Sequence, residues 1–326
     1  MKMHRPSLLL TPLLAAVCAT ASTNDPLQWV LPFVRAPRLQ HRTFDSAVLN
    51  TKVSYFIFTP KAYDTHQGQR FPVLYWLHGS GGGLPGVPQL TRYFDAAIRA
   101  GKTPPMLVVF PNGLPQGMWC DSKDGKTPVE TIVMRELLPH IDATFRTIAA
   151  REGRLIEGFS MGGYGAARLG FKYPEVFGAV SILAGGPLDL ELSGPRATAH
   201  PRERARLFQN VYGSDMDYFR AQSPLVLAEK NAARLRSNNR IRLATGEKDS
   251  TFDLNRRLSG HLRQLDIPHT FQGLPGVDHN PMALLNALGD KNWSFYRSLF
   301  GGKPAAAISG HPSPPTAEAA GAEDHL

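Results

Sequence analysis

Cysteine is nearly absent: only Cys18 and Cys120 occur among 326 residues. Cys18 falls in an N-terminal segment with the marks of a secretory signal, in which Lys2 and Arg5 precede an apolar run from Ser7 to Ala19 that closes on the small-x-small sequence Ala19-Thr20-Ala21. With residues 1–21 removed, Cys120 is alone and no intrachain disulfide can form, even in an oxidising compartment. The expectation is a secreted or periplasmic protein that stands on its hydrophobic core. A lipidated Cys18 is the rival reading, against which Ala15-Ala16-Val17 lacks both the usual leucine and a small residue directly before the cysteine. Long apolar runs are missing as well. The Ser7–Ala19 stretch carries Thr11 and Pro12 and falls short of the ~20 residues that span a bilayer, and no later segment comes closer, so no membrane span is expected. There is no HExxH and no CxxC, so no metal is implied. The Gly-Lys-Thr tripeptides at Gly101 and Gly125 fail as phosphate loops, because the glycine needed five positions earlier is Ala96 in one and Cys120 in the other. Gly81-Gly82-Gly83-Leu84-Pro85-Gly86 fits G-x-G-x-x-G, but Pro85 and Pro88 oppose the helix that a dinucleotide site would open there. No cofactor is expected.

At 42% hydrophobic and 19% charged residues, the chain can bury a substantial core. From about Gly301 onward it is Gly, Pro, Ala and Ser with almost no large apolar side chain, so residues 302–326 are expected to form a disordered tail and residues 22–301 the folded domain. The net charge is +9. Between Pro195 and Arg242 there are ten Lys or Arg against four Asp or Glu, a density that raises the local concentration of anions. These arginines are not arranged with aromatics as a base-stacking platform, so they read as a solvated surface and no nucleic-acid partner is expected.

Short apolar runs alternate with longer stretches of helical period, the pattern of a mostly parallel sheet with helices on both faces. Val53–Phe58, Val73–Leu77, Met106–Phe110, Leu155–Phe159, Ala179–Leu183, Ile241–Ala244 and His269–Phe271 read as strands, several apolar on both faces. Tyr93–Ala100, Val129–Phe145, Gly162–Lys172, Leu254–Leu265 and Pro281–Phe300 read as helices. Thr43–Lys61 predicts an antiparallel hairpin turning at Leu49-Asn50. Residues 185–239, richer in charge and Pro and without a strand signal, predict a cap-like excursion from an otherwise single α/β domain.

The most informative motif is Gly158-Phe159-Ser160-Met161-Gly162, a G-x-S-x-G between an apolar strand and a helix. A strand that turns abruptly into a helix strains its corner residue, and glycines on either side give the room; the serine hydroxyl then stands above the sheet over a helix N-terminus. A serine hydroxyl needs a base to remove its proton, and in this fold class the acid and the histidine follow in chain order on loops after later strands. Asp249 follows Ile241–Ala244, and His279 follows His269–Phe271. His261, His269 and His140 fall within helices or a strand and read as packing or surface residues. Asp253 competes with Asp249, but Ser250-x-x-Asp253 at a helix start is explained by capping. Behind Val73–Leu77 comes His78-Gly79-Ser80-Gly81-Gly82-Gly83, where missing side chains let backbone N–H groups approach a ligand; the Ser80 and Met161 amides are the expected oxyanion donors, and His78 fixes the loop. Trp119, on a loop beyond another strand end, is a candidate wall of the substrate pocket. Cys120 has no basic neighbour in sequence and reads as a buried thiol.

With these residues in place, Thr43–Phe300 resembles the esterase D, feruloyl esterase and enterochelin esterase branch of the α/β-hydrolase fold, to which mycolyltransferases also belong. The resemblance is carried by Val73–Gly83, Val108-Val109-Phe110-Pro111-Asn112-Gly113, Glu136–Asp142, Gly158–Gly165 and Tyr173-Pro174-Glu175-Val176-Phe177. It implies a Ser160–His279–Asp249 triad with Ser80 and Met161 as backbone donors, acting on an ester substrate through an acyl-enzyme. Ser80 departs from the apolar residue that relatives often carry there. An acyltransferase with the same triad, or a non-catalytic binding protein on the same scaffold, are the competing expectations.

Overall fold

The computed structural model describes residues 27–188, 201–238 and 240–301. The expected signal at 1–21, the alternative lipidation site Cys18, the tail at 302–326 and residues 189–200 of the excursion lie outside the described residues.

Eight strands form one sheet: β1 (Leu39–Ser46), β2 (Thr51–Phe58), β3 (Val73–Leu77), β4 (Leu107–Pro111), β5 (Arg154–Phe159), β6 (Ala179–Leu183), β7 (Arg240–Gly246) and β8 (His269–Leu274). Their order is β1-β2-β4-β3-β5-β6-β7-β8, with β1, β2 and β4 paired antiparallel and every pairing from β4 through β8 parallel. β1 and β2 are the expected hairpin, which turns through Asn50 at φ 51°. β3, β4 and β6 are buried at every position, as their continuous apolar runs require when helices cover both faces.

The helices are α1 (Lys61–Thr65), α2 (Val87–Arg99), α3 (Val129–Thr131), α4 (Leu138–Thr144), α5 (Met161–Lys172), α6 (Pro201–Asn210), α7 (Met216–Ala221), α8 (Pro224–Lys230), α9 (Ala232–Asn238), α10 (Phe252–Gln264), α11 (Pro281–Leu288) and α12 (Asp290–Phe300). One face of the sheet packs Trp76, Phe110 and Ala179 against Phe94 of α2, Leu284 of α11 and Tyr296 of α12. The other packs Tyr75, Val109 and Leu243 against α5 and α10 through Tyr164, Leu169 and Leu258. Each of the large apolar side chains among them, fully buried, contributes about 1.5–3 kcal/mol by removal from water.

Three helices differ from their expected form. α2 opens at Val87, ahead of the expected Tyr93, because Pro88 lies in its first turn, where the missing N–H has no intrahelical acceptor to lose. The prolines therefore permit the helix they were expected to oppose. The segment Val129–Thr144 is continuous but widens into a π-helix over Ile132–Leu137, just ahead of Pro139, whose ring would meet the carbonyl of Arg135 in a regular α-helix. The expected helix Pro281–Phe300 breaks at Gly289, at φ 53°.

The excursion after β6 is built into the core. Tyr212, Phe219, Leu227 and Leu235 bury themselves in the cluster that contains α5, and α8 packs on α5 and α10. The arginines of the basic stretch 195–242 are also partly structural. Arg242, on β7, is buried with its Nη2 2.6 Å from Glu157 Oε2 and its Nε donating to Ser181 Oγ at 2.8 Å, while Tyr296 donates to the other oxygen of Glu157 at 2.6 Å. Arg234 pairs with Glu175 at 2.5 Å on the surface. Burying the Arg242–Glu157 pair is tolerable because hydrogen bonds from Tyr296 and to Ser181 occupy what the ion pair leaves open.

Candidate active site

The parallel strands end on one side of the sheet, and the loops leaving β3, β5, β7 and β8 meet there. β5 passes into α5 through Ser160, which adopts φ 59° and ψ −121°. The turn is possible because the backbone around it leaves no space for side chains: a Cβ on Gly158 would lie 2.3 Å from the Gly162 carbonyl oxygen, and one on Gly162 would lie 1.9 Å from the Leu77 carbonyl oxygen. Ser160 N–H donates to Leu183 O at 3.0 Å, and Ser160 O accepts from Gly186 N–H at 3.1 Å, which fixes the corner to the end of β6.

The hydroxyl so presented meets the two candidates from the distant loops. His279 Nε2 is 2.9 Å from Ser160 Oγ, and His279 Nδ1 is 2.7 Å from Asp249 Oδ2. The ring packs on Phe159 with centroids 4.6 Å apart. It sits just before α11, which Asn280 caps by accepting from Ala283 N–H at 2.9 Å. The Asp249 side chain is wholly buried whereas that of His279 is 39% exposed, so the acid is shielded and the imidazole reaches solvent. Burial by itself would push the Asp249 carboxyl up, but hydrogen bonds from His279 and from the Thr251 amide and hydroxyl, both at 2.8 Å, outweigh it and hold the group below the ordinary carboxylate value. Asp249 is therefore ionised at neutral pH, with one oxygen committed to the imidazole and the other to Thr251. Asp253 is not brought to the site. It lies exposed in α10 beside Arg256, at 3.1 Å, in place of the expected capping contact.

Ser80 lies in the loop that faces the serine, and Met161 is the first residue of α5, where helix geometry leaves its N–H without an intrahelical acceptor. The approach is close: a Cβ on Gly79 would come 3.2 Å from Ser160 Cβ. His78 holds this loop. Its Nδ1 donates to Gly79 O at 2.8 Å and its Nε2 accepts from Gly113 N–H at 3.1 Å, a pair of contacts that only the neutral ring can make. Burial accordingly pushes its pKa down to about 4.

Trp119 corrects an expectation. It is fully buried and does not line the cavity: its ring lies beneath the loop, 4.8 Å from the His78 ring, with Nε1 donating to His78 O at 3.2 Å. Its edge also fills the space beside Gly113 and Gly165, where a Cβ would stand only 2.5 Å and 2.4 Å from ring atoms. The loop after β4 folds inward because Arg168, buried in α5, donates to Trp119 O at 3.0 Å and pairs with Glu130. Cys120 is buried as expected, and burial pushes its thiol up to about 12.

The cavity that opens beside Ser160 and His279 has a volume of about 420 Å³. It extends under the sheet face of α2, between Phe56, Trp76, Phe110, Val87 and Leu90, and Leu31 closes its outer side. No described residue of 201–238 lines it. Leu31 could not have been found from periodicity, since Gln28–Leu31 belongs to no regular element. It is held there because Asn112 Nδ2 donates to Gln28 O and Trp29 O, both at 2.9 Å, and Leu31 N–H donates to Ser54 Oγ at 2.8 Å. Asn255, in α10, was missed because its contacts are made to a residue seventy positions away. It accepts from Gly185 N–H at 3.2 Å and donates to Gly185 O at 2.9 Å, joining the loop beside the serine to the helix behind Asp249.

Residues 46–304 match the Esterase family model, described as "Putative esterase". An esterase of Mycobacterium tuberculosis is 35% identical over 156 residues, which is 46% of this chain and 32% of that protein. An endo-1,4-beta-xylanase/feruloyl esterase of Xylanibacter ruminicola is 30% identical over 171 residues, 50% of this chain and 24% of that protein. The chain thus spans about a third or less of the curated relatives it matches. Among solved structures, a ferulic acid esterase superposes with a TM-score of 0.65 at 25% identity, covering 80% of this chain and 98% of that one. An S-formylglutathione hydrolase from Agrobacterium tumefaciens superposes with a TM-score of 0.65 at 19% identity over 81% and 95%, a likeness of fold.

Proposed function

The chain belongs to the Esterase family, and from that premise we propose that it is a secreted serine hydrolase of carboxylic esters that works through an acyl-enzyme. The observation that carries this reading is the unbroken series Asp249–His279–Ser160, with separations of 2.7 and 2.9 Å. His279 Nε2 takes the Ser160 proton as Oγ attacks the ester carbonyl carbon, and Asp249 holds the tautomer that leaves Nε2 free to do so. The tetrahedral oxyanion is received by the Ser80 and Met161 amides, each such donor being worth roughly 100- to 1000-fold in rate. The alcohol leaves with the proton from His279, and water repeats the sequence to release the acid. Secretion rests on the N-terminal sequence pattern alone.

The test is Ser160→Ala in hydrolysis of a p-nitrophenyl ester, together with labelling by a fluorophosphonate. The expected outcome is loss of at least about a thousandfold in turnover and complete loss of labelling. Wild-type turnover in the variant would overturn the proposal. Release of free acid as the product, undiminished by added alcohol or sugar, separates hydrolysis from acyl transfer.

A further inference from the structure

We infer that the cavity beneath α2 binds the acyl half of the ester, that it is built for an unsubstituted alkanoyl chain longer than acetyl, and that Leu31 sets the length it accepts. This rests on the ester-hydrolysing reading of the triad. The assignment to the acyl half follows from the order of events. After the alcohol departs, water must reach the carbonyl carbon from the His279 side, so that side has to stay open, and His279 is 39% exposed. The acyl group remains bonded to Ser160 Oγ throughout, and it alone can occupy the apolar end of the cavity for the whole cycle.

The chemistry of that space selects its occupant. Its innermost side chains, Phe56, Trp76, Val87, Leu90 and Phe110, are all buried, and only the Trp76 indole N–H among them carries a polar atom. His78 also borders the cavity, but both of its ring nitrogens are engaged by Gly79 and Gly113. Among the described residues no Asp, Glu, Lys, Arg, Asn or Gln lines it. An acyl group that ends in a carboxylate or an amide would bury those atoms without partners, and so would one bearing several hydroxyls, at a cost of about ten- to a hundredfold for each. A hydroxycinnamoyl group carries a phenol and often a methoxy oxygen; Ser80 lines the cavity in the loop that faces Ser160, and among the innermost side chains the indole donor serves at most one of those oxygens. A hydrocarbon chain has no such debt, and each methylene it buries favours binding by about fourfold.

Leu31 is the outer wall, and it differs from the rest of the lining in its support. Phe56, Trp76, Phe110, Val87 and Leu90 stand on sheet and helix, whereas Leu31 rides on a segment held by Asn112 and Ser54. Its side chain can therefore change without disturbing the sheet, and its bulk decides how far a chain can extend.

The experiment measures kcat/KM for p-nitrophenyl acetate, butyrate, hexanoate, octanoate and decanoate, for a feruloyl ester, and for alkyl acetates of matched chain length. The wild type is expected to rise by about three- to fourfold per methylene up to a maximum beyond butyrate, with the feruloyl ester below that maximum and no comparable trend in the alkyl acetates. Leu31→Trp should move the maximum to a shorter acyl chain and lower the octanoate-to-acetate ratio at least tenfold; Leu31→Ala should move it to a longer one. Thermal unfolding of both variants checks that the fold persists, and the ratio of long- to short-chain rates is read within each variant, so partial loss of folded protein cancels. A flat acyl profile, a feruloyl ester preferred over every alkanoate, or a chain-length trend in the alcohol instead of the acyl group would overturn the inference while leaving the hydrolase reading intact. Absence of activity toward all these esters, with no fluorophosphonate labelling, would instead remove the reading on which it rests.

Discussion

Replacing Asp249 by Asn tests the part of the site that chain order alone left in competition with Asp253. The amide preserves the size of the side chain and can still accept from Thr251, but it removes the charge that faces His279 Nδ1 at 2.7 Å. On the proposed mechanism the imidazole becomes an imidazolium during attack. A unit charge about 4 Å away in surroundings of effective dielectric ~20 stabilises it by about 4 kcal/mol, close to a thousandfold in rate. The 39% exposure of the imidazole side chain lets solvent screen part of that. Loss of tautomer control acts in the opposite direction, since the amide can present its NH2 to Nδ1 and so place the proton on Nε2; in serine proteases the equivalent change costs ~10⁴ in kcat. Asp249→Asn should therefore lower kcat by about 10³ to 10⁴ with little change in KM. The assay is steady-state hydrolysis of a p-nitrophenyl ester, with Asp253→Asn as the control. Asp253 is exposed and, among the described residues, pairs with Arg256, so its variant should stay within about twofold. An Asp249→Asn enzyme within tenfold of wild type, or a larger loss at Asp253, would refute the reasoning.

Two further predictions concern buried charge. Burial lowers the His78 pKa from 6.5 to about 4, so between those values the unfolded chain binds a proton that the folded chain refuses, and stability falls as pH falls. His78 should account for about 2 kcal/mol of destabilisation between pH 7.5 and pH 5; urea denaturation at the two pH values should show His78→Gln to be less pH-sensitive than wild type by that amount, and equal slopes would count against a neutral buried ring. Arg242→Ala leaves Glu157 buried with Tyr296 as its remaining partner, which should cost about 3–5 kcal/mol. A loss below 1 kcal/mol in equilibrium unfolding would show that water or a relaxed backbone replaces the guanidinium.

Much of this architecture was legible from local pattern. The runs Val73–Leu77 and Ala179–Leu183 are strands to the residue, because a strand covered on both faces is apolar throughout or, as at Ser181, carries a polar group only where a buried partner meets it. The serine elbow was legible for a stricter reason. Only glycine fits where a Cβ would stand 1.9 Å from the Leu77 carbonyl oxygen, so the constraint is written directly into Gly158 and Gly162. How the excursion packs was not legible, because its charge dominates its composition while its burial depends on scattered residues such as Tyr212, Phe219 and Leu235 that meet only after folding.

The polypeptide's own order of residues thus established an α/β sheet, the corner bearing Ser160, and two later loops each offering one side chain of the right chemistry. These are short-range matters, governed by steric fit and hydrophobic period within a few residues. Folding settled which acid touches His279, that Trp119 supports the loop from beneath and stays out of the cavity, and that Leu31 closes a pocket whose other walls lie far along the chain. Those outcomes turn on contacts a fraction of an ångström wide between segments distant in sequence, and no local pattern carries that information until the sheet has closed.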